Sequence, residues 1–261
     1  MLRPRIIPCL LVHEGGLVKT TQFANPKYVG DPINAVKIFN EKEADELVVL
    51  DIDATVNGAE PNYHLIAHLA AECRMPLCYG GGVKTPAQAK RIIGLGVEKV
   101  AISSAAVADP VIVTQIADEV GRQSVVVVLD VRKKKLFNTD YEVWTHNGSK
   151  NSKFGVADAA RKLADAGAGE IVLNCIDNDG VMKGYDLDLA RTLRDAVNIP
   201  VTILGGAGSL ADIGALFDRC GVVGASAGSL FVFKGSYRAV LINYPTPAQK
   251  DEIIRSALQI T

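Results

Sequence analysis

Short, unbroken apolar runs alternate along this chain with longer stretches whose apolar positions recur in the helical period. The runs fall at residues 5–12, 46–52, 76–79, 99–102, 125–130, 170–176, 200–204 and 222–225. They are rich in Val and Ile, the signature of strands in parallel βα units, buried on both faces. The stretches between them predict helices, for instance at 31–43, 85–95, 156–166 and 187–197. Eight such units in 261 residues favour an α/β fold of one domain, a closed (β/α)8 barrel. The competing architecture is an open doubly wound sheet. No G-x-G-x-x-G follows the first strand to support it.

The pattern also repeats, which suggests two half-barrels of about 1–120 and 121–261. Ala44-Asp45-Glu46-Leu47-Val48-Val49 resembles Ala168-Gly169-Glu170-Ile171-Val172-Leu173. The pairs Glu46/Glu170, Pro76/Pro200, Gly81/Gly205 and Gly82/Gly206 all share one spacing. The halves differ at one chemically decisive place. Cys9-Leu10-Leu11-Val12 ends the first run, and Val128-Leu129-Asp130-Val131 ends its counterpart. One strand therefore opens onto the rim with a carboxylate and the other with Leu11, which can neither take nor give a proton.

Composition narrows the partners. The net charge of −1 gives no argument for nucleic acid or for an anionic membrane surface. No run reaches the roughly 18 apolar residues of a membrane span, and residues 1–7 lack the apolar core of a signal peptide. The five cysteines are scattered, odd in number and without zinc spacing, which suggests reduced thiols in the cytoplasm. His64 and His68 form a helical pair, read as an ordinary helix face rather than a metal site. No metal or cofactor is expected.

Glycine and serine turns carry the next signal. The third strand runs into Gly80-Gly81-Gly82-Val83 and the seventh into Gly205-Gly206-Ala207-Gly208. The fourth is followed by Ser103-Ser104-Ala105-Ala106 and the eighth by Ser226-Ala227-Gly228-Ser229. Such turns let backbone N–H groups and a hydroxyl donate to phosphate oxygens, although tight βα turns want glycine anyway. Their appearance twice at one spacing suggests two phosphate sites and a phosphorylated small-molecule ligand.

Together these residues resemble HisF, the cyclase subunit of imidazole glycerol phosphate synthase. The likeness spans nearly the whole chain. It includes Arg5-Ile6-Ile7-Pro8-Cys9-Leu10, Val18-Lys19, Gly30-Asp31-Pro32, Asp45-Glu46-Leu47-Val48, Gly80-Gly81-Gly82-Val83, Ile176-Asp177-Asn178-Asp179-Gly180 and Gly205-Gly206-Ala207-Gly208. The resemblance implies a (β/α)8 barrel paired as a heterodimer with HisH, a glutaminase docked on the N-terminal face. Ammonia from glutamine would cross the barrel to the opposite rim. It implies a gate of Arg5, Glu46, Lys99 and Glu170, near the starts of their strands; without it, those residues read as a polar plug facing water. It also implies substrate contacts from Lys19 in the first βα loop and from Asp177, with Cys9 in register. Cys9 alone reads as core, and Asp130 and Asp177 could serve structural hydrogen bonds only.

The match on the catalytic rim is partial. Family cyclases use two aspartates, from the first and fifth strands, as general acid and base. Asp130 matches one, and Leu11 stands where the other is expected. Ser103 replaces a usual asparagine, and Leu204 a usual small polar residue. Three functions follow. The first is a HisF-like subunit that conducts ammonia to another acceptor, as in amidination of surface-polysaccharide sugars with a third, synthetase-like protein. The second is a genuine cyclase in which Asp51 or Asp177 supplies the missing acid. The third is a non-catalytic scaffold that binds a phosphorylated ligand and activates the glutaminase. The first βα loop, residues 14–30, is expected to act as a lid.

Overall fold

The computed structural model describes residues 3–134, 140–235 and 237–258. The half-barrel bounds drawn above also take in the few residues outside that description. Eight parallel strands close on themselves: Arg5–His13, Leu47–Asp51, Leu77–Gly80, Lys99–Ile102, Val125–Lys133, Glu170–Cys175, Val201–Leu204 and Gly224–Ala227. Each hydrogen-bonds to its neighbours in chain order, and the eighth returns to the first at Arg5↔Gly224. The fold is a single-domain (β/α)8 barrel. All eight apolar runs became barrel strands, the last shifted to begin at Gly224.

Local chemistry starts the outer helices where the pattern predicts. Asp31 caps Pro32–Glu41 by accepting the Asn34 N–H, with proline in the first turn. Thr85 and Gln88 form a capping box before Pro86–Gly94, and Ser209 and Asp212 form one before Leu210–Cys220. Alternation along the strands then divides the core in two. Outward side chains such as Leu47, Val49 and Leu77 pack against Phe39, Ile92 and Phe217 of the helices. Inward side chains form a separate cluster inside the barrel: Ile7, Cys9, Val48, Cys78, Ala101, Val126, Val128, Val172 and Leu204.

Two loops carry strands the apolar pattern does not announce. Gly16–Thr21 and Ala24–Gly30 form a hairpin that anneals antiparallel to the first strand, with Leu11 opposite Val18. Tyr141–Thr145 and Lys150–Gly155 form its counterpart on the fifth strand, with Asp130 opposite Trp144. The segment expected to be a lid is thus a hairpin, and it is pinned. Asp179 accepts from the Thr20 hydroxyl at 2.7 Å and the Phe23 N–H at 3.3 Å, and its carbonyl takes the Gln22 N–H at 2.9 Å.

Phe217 is fully buried between helix and barrel. Phe217→Ala should destabilise the protein by about 3–5 kcal/mol, read as a lowered urea midpoint at unchanged slope. A loss under about 1 kcal/mol would mean that this layer is not close-packed.

Candidate functional site

At the N-terminal end of the barrel four charged side chains close a circuit. The Arg5 guanidinium donates to Glu46 through Nη1 and to Glu170 Oε1 through Nη2, the latter at 2.7 Å. Lys99 Nζ donates to Glu46 Oε1 at 2.8 Å and to Glu170 Oε2 at 2.9 Å. Each cation holds both carboxylates, and each carboxylate holds both cations. The Thr202 hydroxyl adds a 2.6 Å donation to Glu170 Oε1. The register explains how Arg5 reaches the others. Its strand neighbour is Gly224, where an added Cβ would lie 2.0 Å from Thr202 Oγ1. The missing side chain leaves the room in which the Arg5–Glu170–Thr202 contacts form.

The plug reading fits the circuit only in part. The Glu46 and Glu170 side chains are 5% and 6% exposed, against 28% for Arg5 and 18% for Lys99. The cations reach water and the carboxylates do not. Burial works against the Glu170 charge, but Arg5, Lys99 and the hydrogen bonds outweigh it and hold the carboxyl at about 2. Burial likewise opposes the Arg5 and Lys99 charges, and the two glutamates overcome it, so both cations bind their protons more tightly than usual.

At the C-terminal rim lies a cavity of about 370 Å³. It brings together Leu11, Lys19, Gly81, Gly82, Ser104, Asp130, Gly228 and Ser229. Cys9, Ala101, Val128 and Leu204 line it too and belong to the interior cluster, so the cavity penetrates the barrel. Ile7, Val48, Cys78, Val126 and Val172 complete that cluster without lining the cavity. Gly81 sits at φ +127°, and a Cβ there would meet the Asp51 carbonyl oxygen at 2.6 Å. The turn therefore exposes its backbone to the cavity at a place only glycine can occupy.

Asp177, Gly205 and Gly206 do not line this cavity. Asp177 accepts the Lys133 N–H at 2.8 Å, and its carbonyl takes Gln22 Nε2 at 2.8 Å. A Cβ on Gly206 would lie 2.2 Å from the Gly184 carbonyl oxygen, so there the glycine serves close chain packing. His64 and His68 meet at a tilt on an exposed helix face, and no metal-binding group of three or more His, Cys, Asp or Glu occurs among the described residues.

Leu11 and Asp130 occupy matching positions: each lies in the C-terminal part of its strand, faces a hairpin and pairs with the next barrel strand. Leu11 pairs with Leu50, and Asp130 with Asn174. One half of the rim thus presents two leucines, and the other a carboxyl and an amide. Asn174 Nδ2 donates to Asp130 Oδ1 at 3.0 Å. Burial pushes the Asp130 carboxyl up to about 7 despite that bond, with Asp179 adding to the rise. A group balanced there can take or give a proton at neutral pH. Lys19 is buried beneath its hairpin, donates to the Cys9 carbonyl at 2.6 Å, and is lowered by burial. The Cys9 thiol is raised by burial to about 11, in keeping with a core cysteine.

The sequence reading missed several lining residues, chiefly Asn174, Asp179 and His146. Asn174 had a signal, being the polar break in Ile171-Val172-Leu173-Asn174-Cys175. His146 arrives on the tip of the second hairpin, its N–H held by Ser104 Oγ at 3.1 Å, while Asn147 Nδ2 reaches the Ile52 carbonyl at 2.7 Å.

With this geometry in view, comparison with known proteins gives the family. A family model described as histidine biosynthesis protein matches residues 5–238. The chain belongs to that family. A Vibrio vulnificus protein provisionally named imidazole glycerol phosphate synthase subunit hisF3 is 58% identical over 97% of both chains. A Pseudomonas aeruginosa protein provisionally named subunit hisF2 is 54% identical over 94% of this chain and 97% of its own. An imidazole glycerol phosphate synthase subunit HisF of Hyphomonas neptunium is 40% identical over 89% of this chain and 91% of its own. The protein is HisF-like, and none of its described helices is long and apolar enough to cross a membrane.

Asp130 gives a test with a definite sign. Its folded value near 7 lies above the usual carboxylate range, so the fold binds this proton more tightly than the unfolded chain does. Ionising it works against the fold; that penalty is absent below about pH 4 and complete above about pH 8. Asp130→Asn should therefore stabilise the protein by a few kcal/mol, on the order of 1–3, at pH 8, with the gain vanishing near pH 4. Urea unfolding at both pH values measures it, and an equal effect at each would contradict a buried, shifted acid.

Proposed function

We propose that this chain is the synthase subunit of a glutamine amidotransferase complex in the cytoplasm. In this reading a HisH-like glutaminase docks on the N-terminal face, around Arg5, Glu46, Lys99 and Glu170. Ammonia passes their circuit, crosses the interior and emerges beside Asp130. The observation that carries the reading is a charged circuit at one end of an apolar interior and an uneven pair, Asp130 and Leu11, at the other. A neutral nitrogen species suits such a path, because a bare charge would lose its hydration without a partner. The five interior side chains between circuit and cavity must part transiently to let it through.

The acceptor in this proposal is not the histidine-pathway precursor. Cyclisation by the family's route needs two opposed acids, and each such group contributes on the order of 10²–10⁴-fold. Leu11 and Leu50 instead place two apolar side chains where the other half has Asp130 and Asn174. Such a mouth suits amidination of a sugar for surface polysaccharide, with a third, synthetase-like protein completing the reaction. Gly81, Gly82 and Ser104, with Gly228 and Ser229 beside Lys19, would hold the phosphate groups of a bound ligand, and Asp177 would act from outside the cavity by bracing the fifth strand.

A second reading keeps the cyclase, and one observation favours it: Asp51 lines the same cavity, with its carboxyl raised by burial. Asp51 Oδ1, however, already accepts the N–H groups of Asp53 at 2.9 Å and Ala54 at 3.1 Å.

Mixing barrel, glutaminase, glutamine and the histidine-pathway precursor separates the two. The native chain should form imidazole glycerol phosphate at least about 10²-fold more slowly than Leu11→Asp. Robust native turnover would overturn the proposal in favour of the cyclase. The gate is tested in the same complex. Lys99→Ala should reduce the share of glutamine nitrogen that reaches the barrel product or acceptor while glutamine hydrolysis continues. Unchanged delivery would refute the conduit and leave a scaffold that only activates the glutaminase.

A further inference from the structure

The fifth and sixth strands bring two polar side chains together beside the apolar interior cluster, and one of their atoms has no partner in the fold. Asn174 is 6% exposed, yet its Oδ1 has no hydrogen-bond partner among the described residues. Its Nδ2 is committed to Asp130 Oδ1 at 3.0 Å. Leaving a buried carbonyl unmatched is unfavourable by about 1–3 kcal/mol. The matching position in the other half holds Leu50, so the barrel does not need a polar group there to fold. Gly205 stands beside the unmatched oxygen, and a Cβ at that position would approach it to 3.2 Å. The oxygen is itself buried, and the glycine leaves a small space beside it, next to the cavity that Asn174 and Asp130 both line.

We infer that Asn174 is the positioning residue for the incoming nitrogen, forming with Asp130 a receiving point that accepts its N–H groups. The inference rests on the ammonia conduit proposed above and adds where and how the nitrogen is held. Ammonia has three N–H bonds and one lone pair, and only the lone pair attacks an electrophile. A donor at the receiving point would occupy the lone pair and quench the nucleophile. Acceptors grip the N–H side and leave the lone pair free for the substrate above. Asn174 Oδ1 and the ionised Asp130 carboxylate are both acceptors. The Nδ2 bond to Asp130 serves the same end, because a donor to that carboxyl favours its ionised form. The matching pair in the other half, Leu11 and Leu50, offers nitrogen no acceptor, and Asp51 Oδ1 there already accepts the N–H groups of Asp53 and Ala54, which favours the Asp130 side.

The probe is ¹⁵N-labelled ammonia, supplied as ammonium chloride at alkaline pH where the neutral species is abundant and Asp130 is ionised, titrated into the chain with ¹³C-labelled aspartate against a sodium chloride control. The native Asp130 carboxyl signal should shift saturably with ammonia and not with sodium chloride. Asn174→Leu, which copies the Leu50 arrangement, should weaken that response at least tenfold. It should also raise the apparent pKa of Asp130 read from the same signal, since a donor is lost. Asn174→Gln, which retains both the acceptor oxygen and the donating amide, should keep the response. Equal binding by Asn174→Leu and the native chain would overturn the inference, as would no saturable response in the native chain. These readings need neither the glutaminase nor the acceptor. A conduit that fails in the Lys99→Ala test therefore leaves them interpretable, and a failure here leaves the conduit standing.

Discussion

Everything at the lower end of the barrel depends on four charges satisfying one another at once. Desolvating an ion is unfavourable by several kcal/mol, and its partners must offset that with good geometry. Arg5, Glu46, Lys99 and Glu170 do so because each bonds two neighbours and the sum of charge is zero. Four strands, the first, second, fourth and sixth, must arrive at the same height for this to happen. The circuit therefore fixes the register of half the barrel, and Gly224 is part of it through the space it leaves. Removing one member strands an uncompensated charge, a loss typically of 3–5 kcal/mol.

At the upper end, two-fold similarity of backbone is joined to inequality of chemistry. The hairpins after the first and fifth strands occupy corresponding places, and the pairs Leu11–Leu50 and Asp130–Asn174 correspond within them. The carboxyl–amide pair Asp130 and Asn174 stands on one side, and a pair of leucines holds the corresponding place on the other. Burial then raises Asp130 without an opposing acid; Asp179, tied to the first hairpin, is the nearest carboxyl to influence it.

The barrel was readable from sequence because its strands are continuous apolar runs and its helices carry their own caps. The circuit residues were readable as charges interrupting the starts of such runs. The phosphate-type turns were readable as glycine and serine after strands, but whether a turn faces the cavity was not: Gly81 does, and Gly206 spends its freedom on packing against Gly184. The hairpins were hidden because polar residues such as Asn25, Lys27 and Lys153 break the alternation that marks a strand. Turn residues Gln22, Phe23, His146 and Asn147 adopt positive φ without being glycine, which no local pattern announces. Asn174 matters through its partner 44 positions away, and no local window contains both.

The neutral sum at the base has a last consequence. A closed set of paired ions under a wall of Ile7, Val48, Cys78, Val126 and Val172 behaves as an electrical insulator. An ion moved into that wall would lose its water and its charged partners together, a loss that an uncharged molecule of the same size escapes.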